Sequence, residues 1–241
     1  MPWKSDERPD TRTHRPTQVA TLRAVNARGS FIVLEGLDGA GTTTQALRLA
    51  ELLERAGLTV LRTQQPSRRA IGAAIREQLR ALEHPPDPRV LALLFAADRI
   101  DHVTAEIEPA LARGEVVVCD RYVLSSWAYQ GLDCDPAWVR SINAHAPWPD
   151  LTAVLRLSPE RAAERVAARA HDRELFDALA TQRRVAAAYD EALAAKLPGV
   201  VSIDAEASIE AVGAALVQAC VAALPQLQAC VENWPPRPVG A

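Results

Sequence analysis

Apolar residues along the chain keep two rhythms. The first is the short unbroken run, at Phe31–Glu35 (FIVLE), Thr59–Thr63 (TVLRT), Glu115–Cys119 (EVVVC), Leu151–Leu157 (LTAVLRL) and Val200–Ile203 (VVSI). Runs so short and so rich in β-branched residues predict strands covered on both faces. The second rhythm spaces apolar residues by three or four. Ala46, Leu49, Ala50 and Leu53 share one face of a helix predicted over about 45–56 and closed by Gly57. Helices are also predicted over 70–82 and 89–111, kept apart by His84-Pro-Pro-Asp-Pro88, and over about 123–130 and 136–145. Another starts at Pro159, passes a charged interval at Ala170-His-Asp-Arg173 and resumes to Lys196; the last, 208–224, packs through Ile209, Val212, Leu216 and Cys220. Strands alternating with helices predict a doubly wound α/β domain with a parallel sheet of about five strands flanked by helices. No internal repeat interrupts this order. Residues 1–28 and 225–241 carry prolines and little periodicity, so the expected division is an N-terminal extension (1–28), a folded domain (29–224) and a C-terminal tail.

Composition narrows the picture. With 49% hydrophobic and 24% charged residues, the chain can bury a sizeable core, and a net charge of −3 offers no global attraction to nucleic acid or an acidic membrane. Cys119, Cys134, Cys220 and Cys230 lack C-x-x-C spacing and are expected to be free thiols of a cytoplasmic protein. No apolar run reaches the roughly 20 residues that a membrane-spanning helix needs.

The first strand runs directly into Gly36-Leu37-Asp38-Gly39-Ala40-Gly41-Thr42-Thr43-Thr44. Strand, glycine loop and helix start form a phosphate site, because unobstructed backbone N–H groups converge on an anion and the helix end adds partial positive charge. Gly36, Gly41 and Thr43 fit the frame G-x-x-x-x-G-K-[ST], but the lysine position holds Thr42. Asp38 beside bound phosphate requires an intervening cation. Magnesium suits, with Thr43 offering its hydroxyl and Asp38 or Asp120 acting through water. The plain alternatives are a turn-forming Asp38 and a surface ion pair at Asp120-Arg121.

Arginines recur where further phosphate could bind: Arg99, Arg121, and Arg161, Arg165, Arg169 and Arg173 at spacings of four. Phosphoryl transfer needs such preplaced cations. A solvated helix face paired with Glu160, Glu164 and Asp172 explains the last four equally well. Phe95 is either a base-stacking ring or a core residue.

Taken together, Gly36 to Gln45, Leu93-Leu-Phe-Ala-Ala-Asp-Arg99 and Asp120-Arg-Tyr-Val-Leu-Ser-Ser-Trp-Ala-Tyr-Gln-Gly131 resemble the thymidylate (dTMP) kinases among the P-loop nucleoside monophosphate kinases. The likeness runs from about Phe31 to Leu224 and includes Pro149–Thr152, Ser158-Pro-Glu160 and Tyr189. It implies a three-layer P-loop fold and transfer of the ATP γ-phosphate to dTMP with magnesium, in a cytoplasmic homodimer. By position, Gly36 to Thr44 would hold ATP phosphates, Asp38 would orient acceptor and metal, and Arg121 would contact the phosphates being joined. Phe95 would stack on thymine with Arg99, Ser126 and Gln130 near the base and Tyr129 near the sugar. Arg165, Arg169 and Arg173 would belong to a lid over ATP, Arg165 as an ATP-binding residue and Arg169 and Arg173, which flank the turn at Ala170-His171, as the favoured catalytic cations. Two positions depart: Thr42 replaces the loop lysine, and Gln64-Gln65-Pro66 replaces the usual Arg-Glu-Pro. Arg68 and Arg69 on one side, and the lid arginines on the other, are the candidate substitutes for the lost charge.

Overall fold

The computed structural model describes residues 28–80, 85–168 and 175–228. Five parallel strands, β1 (Phe31–Gly36), β2 (Val60–Gln64), β3 (Val116–Asp120), β4 (Leu151–Arg156) and β5 (Val200–Asp204), lie in the order β2-β3-β1-β4-β5. Nine α-helical segments connect them among the described residues: α1 (Thr42–Arg55), α2 (Ala70–Arg80), α3 (Pro88–His102), α4 (Glu108–Ala112), α5 (Val123–Tyr129), α6 (Pro136–Ile142), α7 (Pro159–Ala167), α8 (Leu175–Ala194) and α9 (Ile209–Ala223).

All six residues of β1 are buried, and they alternate between two cores. Ile32 and Leu34 pack with Leu49 and Leu53 of α1 and Leu216 of α9, while Phe31 and Val33 pack with Val103, Ile107 and Leu111. The apolar runs therefore read as they do because each strand side meets a helix layer. The helix expected over 89–111 is not continuous. It passes from α3 through a π turn, Val103–Ile107, into α4. Pro109 has no N–H with which to continue the α-helical ladder, and the wider turn absorbs the break. The charged interval Ala170–Arg173 lies outside the described residues. Packing extends beyond Leu224: Leu227 is buried, and Gln226 Nε2 donates to Ser30 Oγ at 3.1 Å.

Register brings the ends of β1 and β3 together, with Leu34 opposite Asp120. The segment after β3 is then anchored to one carboxylate. Glu35 is fully buried; Oε1 accepts from the Tyr122 N–H (2.9 Å) and the Ser125 N–H (3.1 Å), and Oε2 accepts from Ser125 Oγ (2.5 Å) and Tyr189 Oη (2.9 Å). One side chain thus ties β1 to the start of α5 and to α8. Glu35→Leu strands all of these donors, each costing about 1–3 kcal/mol when unsatisfied, although the two hydroxyls can reorient. Urea unfolding should show a loss on the order of 4 kcal/mol. Glu35→Gln, which keeps an acceptor for the backbone N–H groups, should lose less than half of that; equal losses would mean that packing rather than these bonds sets the cost.

Candidate active site

The loop between β1 and α1 curves around a cleft of about 370 Å³ lined by Asp38, Gly39, Gly41, Thr42, Thr43, Thr44, Arg121 and Val166. Gly39 has φ +89°, and a Cβ there would stand 2.9 Å from the Ala162 carbonyl, so only glycine lets α7 approach the loop this closely. That approach places Arg165, whose Nη1 donates to the Gly39 carbonyl at 3.1 Å. Arg161, one turn earlier, turns outward to Glu206 at 2.9 Å and is a surface ion pair. The arginine stripe is therefore split: Arg165 faces the loop, Arg161 does not, and Arg169 and Arg173 lie outside the described residues. Thr42 opens α1 and is buried, so no side-chain cation occupies the lysine position of the loop motif.

Arg121 lies across the cleft from α1. Its backbone is left-handed, φ 68°, a conformation that costs a non-glycine residue roughly 1–3 kcal/mol and marks sites where geometry is imposed. The imposing contacts are visible. The Arg121 N–H donates to the Leu34 carbonyl (2.8 Å), Nη1 donates to the Gly36 carbonyl (2.9 Å), and Nη2 donates to Asp38 Oδ1 (2.6 Å). The guanidinium also stands 5.2 Å over the Tyr129 ring. Burial opposes its charge, but Tyr129, Tyr189, Asp38 and Glu35 outweigh that effect and hold it above its ordinary value. Asp38 is therefore neither a bare turn-former nor isolated: it is a mostly exposed carboxylate paired with Arg121 at the cleft mouth.

Asp120 and Thr43 meet beneath it, with Thr43 Oγ1 donating to Asp120 Oδ2 at 2.5 Å. Asp120 Oδ1 is buried without a partner. An orphaned carboxylate oxygen, a hydroxyl and the nearby Asp38 are hard oxygen donors of the kind magnesium takes. Among the described residues no group of three or more His, Cys, Asp or Glu gathers as a metal cage.

A second cluster lies along α3 and α5. Arg99 is 2% exposed, and all its described hydrogen bonds go to neutral acceptors: Nε to Asn143 Oδ1 (3.1 Å), Nη1 to Gln65 Oε1 (2.6 Å) and Nη2 to Ser126 Oγ (2.5 Å). Burial lowers its pKa from the ordinary guanidinium value, with Tyr122 and Glu35 opposing. Phe95 lies one helical turn before Arg99 and is only partly buried. Tyr129 ends α5 with its hydroxyl buried and unpartnered, and burial pushes the phenol up to about 12. Gln130 follows in a short 3-10 turn.

Arg69, a candidate substitute for the charge missing at Gln64, pairs with carboxylates of α3 and of the π turn after it. It is held by Asp101 through Nε (2.5 Å) and Nη2 (3.1 Å), with Glu106 at 3.8 Å. Arg68 is exposed. Several residues of the site had no role in the sequence reading: Glu35, Asp98, His102 and Asn143. Asp98 is buried and accepts from the Ser67 N–H (2.7 Å) and Ser67 Oγ (2.5 Å), fixing the turn after β2. A carboxylate ending an apolar strand was the available signal for Glu35; the others join the site only through long-range contacts.

The thymidylate kinase family model matches residues 34–216. A probable thymidylate kinase of Pyrococcus abyssi is 43% identical over 192 residues, covering 77% of this chain and 92% of that protein. A thymidylate kinase of Bifidobacterium longum is 42% identical over 200 residues, covering 78% and 95%. One from an Exiguobacterium species is 40% identical over 195 residues, covering 76% and 90%. With the glycine loop, Asp120-Arg121 and the Phe95–Arg99 helix in one continuous match, the chain belongs to the thymidylate kinase family.

Proposed function

We propose that the protein transfers the γ-phosphate of ATP to dTMP, giving dTDP. The observation that carries this reading is that α5 serves two clusters at once. Ser125 and Tyr129 face Arg121 beside the glycine loop, while Ser126, between them, binds Arg99 in the second cluster. Two substrate sites sharing one rigid element suit a direct transfer, in which positioning and electrostatics do most of the work.

In this mechanism the loop amides from Gly36 to Thr44 and the N-terminus of α1 hold the ATP phosphates. Thr43, Asp120 and Asp38 would hold magnesium, which when bound neutralises charge shared between the phosphates. Arg121 releases Asp38 to engage the oxygens of the group in transit. Arg165, already on the loop carbonyl of Gly39, supplies from α7 the charge that Thr42 lacks, with Arg169 and Arg173 as further lid cations. On the acceptor side Phe95 stacks on thymine, Arg99, Ser126 and Gln130 address its edge, and Tyr129 borders the sugar. A relic that only binds nucleotide would have no need of Arg121, Asp38 and Arg165 converging on one loop.

We assign this work to residues 29–224, with 1–28 and 225–241 as flanking segments, and to a cytoplasmic homodimer. Val90, Leu93 and Ile100, each about half exposed, form an apolar stripe on α3 that a second copy would cover. Cys119, Cys134 and Cys220 are free thiols, as a reducing compartment favours. Among the described residues no helix is long and apolar enough to cross a membrane.

A coupled ADP-release assay over dTMP, dUMP, CMP, GMP and AMP should give dTMP the highest kcat/KM; a higher value for either purine would refute the acceptor assignment. Asp38→Ala and Arg121→Ala should each lower kcat by about a hundredfold or more, the scale of one preorganised transition-state contact. Near-normal turnover in a folded variant would remove that residue from the site. Arg165→Ala should lose about as much, with little change in melting temperature, and Thr42→Lys in that background should recover part of it. Unchanged kcat for Arg165→Ala would show that the missing lysine is not replaced from α7.

A further inference from the structure

The phosphoryl-transfer reading leaves unused a fully buried histidine at the end of α3. His102 Nδ1 is 3.3 Å from Gln65 Nε2, and Nε2 is 2.8 Å from Thr63 Oγ1 and 3.4 Å from Glu106 Oε2. The bonds along this line have a fixed direction. Arg99 can only donate, so the Gln65 atom 2.6 Å from its Nη1 is the carbonyl oxygen. The Gln65 amide nitrogen then faces His102 and can only donate, so Nδ1 must accept. The neutral ring therefore carries its proton on Nε2, pointing at Thr63 and Glu106.

A second proton breaks the direction. On Nδ1 it would oppose the Gln65 NH2; turning the amide over would instead set that NH2 against Arg99. Either way Arg99 loses its acceptor or gains a neighbouring charge in a buried setting. We propose that His102 is a positioning residue: by accepting at Nδ1 it locks the Gln65 amide in the orientation that holds Arg99, so acceptor binding weakens when the ring becomes doubly protonated. This rests on the reading of Arg99 as an acceptor-site group.

The surroundings of His102 agree. Burial is the main influence and holds its pKa below the usual 6.5; Glu106 and Asp98 pull it upward, and Arg69 and Arg99 push it down. Asp101, which pairs with Arg69, is the other carboxylate near it. With a lowered pKa the ring is neutral at neutral pH and protonates only under acid conditions. Gln65 itself stands where the resembled family usually has glutamate. A carboxylate there would accept from Arg99 and from a protonated Nδ1 together, removing the conflict.

The test combines the pH dependence of KM for dTMP with 15N NMR of the imidazole. In the wild type, KM should rise about tenfold between about pH 8 and about pH 5.5, the scale of one hydrogen bond to a charged group, while kcat changes less. His102→Leu should raise KM at every pH. His102→Asn, whose Oδ1 can accept from Gln65, should recover most of that loss and flatten the acid limb, and Gln65→Glu should flatten it as well. The imidazole should show protonated Nε2 and bare Nδ1 at neutral pH. An acid limb in His102→Asn as deep as the wild type's, or a proton on Nδ1 in the neutral ring, overturns the proposal; the part of the limb common to both belongs to the dTMP phosphate, which itself titrates at about pH 6. Arg99→Lys separates the two layers: if it raises KM while His102→Asn keeps the limb, the acceptor site stands and the role of His102 falls. If Arg99→Lys leaves KM unchanged, the acceptor-site reading itself fails and takes the proposal with it.

Discussion

The site depends on a carboxylate placed where carboxylates are expensive. Glu35 ends the central strand inside the core, and its charge is tolerated because both oxygens are filled by N–H and O–H donors from the segment after β3 and from α8. These donors come from residues far apart in the chain. Their bonds therefore do more than satisfy Glu35: they set where α5 begins and how α8 lies across it. A buried apolar residue could fill the same volume, but it could not dictate the orientation of the turn that follows β3.

That turn carries the strain of the site. Arg121 adopts a left-handed backbone costing roughly 1–3 kcal/mol, between Asp120, which bonds Thr43, and Tyr122, whose N–H is held by Glu35. The strain aims the guanidinium at the loop. With extended backbone at this position the chain would continue along the strand direction, and the side chain would not reach the Gly36 carbonyl and Asp38 together. Strand ends supply the position, Glu35 supplies the restraint, and Arg121 absorbs the mismatch.

Much of this was legible in the sequence because it is local. A buried strand, three glycines and a helix start within Phe31–Gln45 can be read directly, and so can the fold they open, since strand and helix periodicities differ so clearly. The arginine stripe shows the limit of such reading. A spacing of four puts Arg161 and Arg165 on one helix face, yet only Arg165 meets the loop, because the glycine at position 39 lets α7 settle against the backbone just there. The pairing of Arg69 shows the same limit: its partner Asp101 lies 32 residues away and is invisible to spacing. The Gln65–Arg99–Asn143 contacts likewise join β2, α3 and the end of α6, which no local pattern connects.

Two arginines at the heart of the site show two ways of keeping a cation out of water. Arg121 is matched by a carboxylate, so its charge is largely neutralised until a more anionic ligand displaces Asp38. Arg99 is surrounded by an amide, a second amide and a hydroxyl, which satisfy its N–H groups without cancelling its charge. Removing a cation from water costs several kcal/mol, and dipoles repay less of this than an opposite charge does. The difference suits the partners each would meet. A phosphate can compete with Asp38 for Arg121, since it brings more charge than it displaces. A pyrimidine edge would bring only partial charges, and an arginine held by amides and a hydroxyl keeps its field uncancelled toward such a partner. Gln65 in place of glutamate carries this logic further than the resembled pattern does, and it transfers the burden of orientation to the neutral ring of His102.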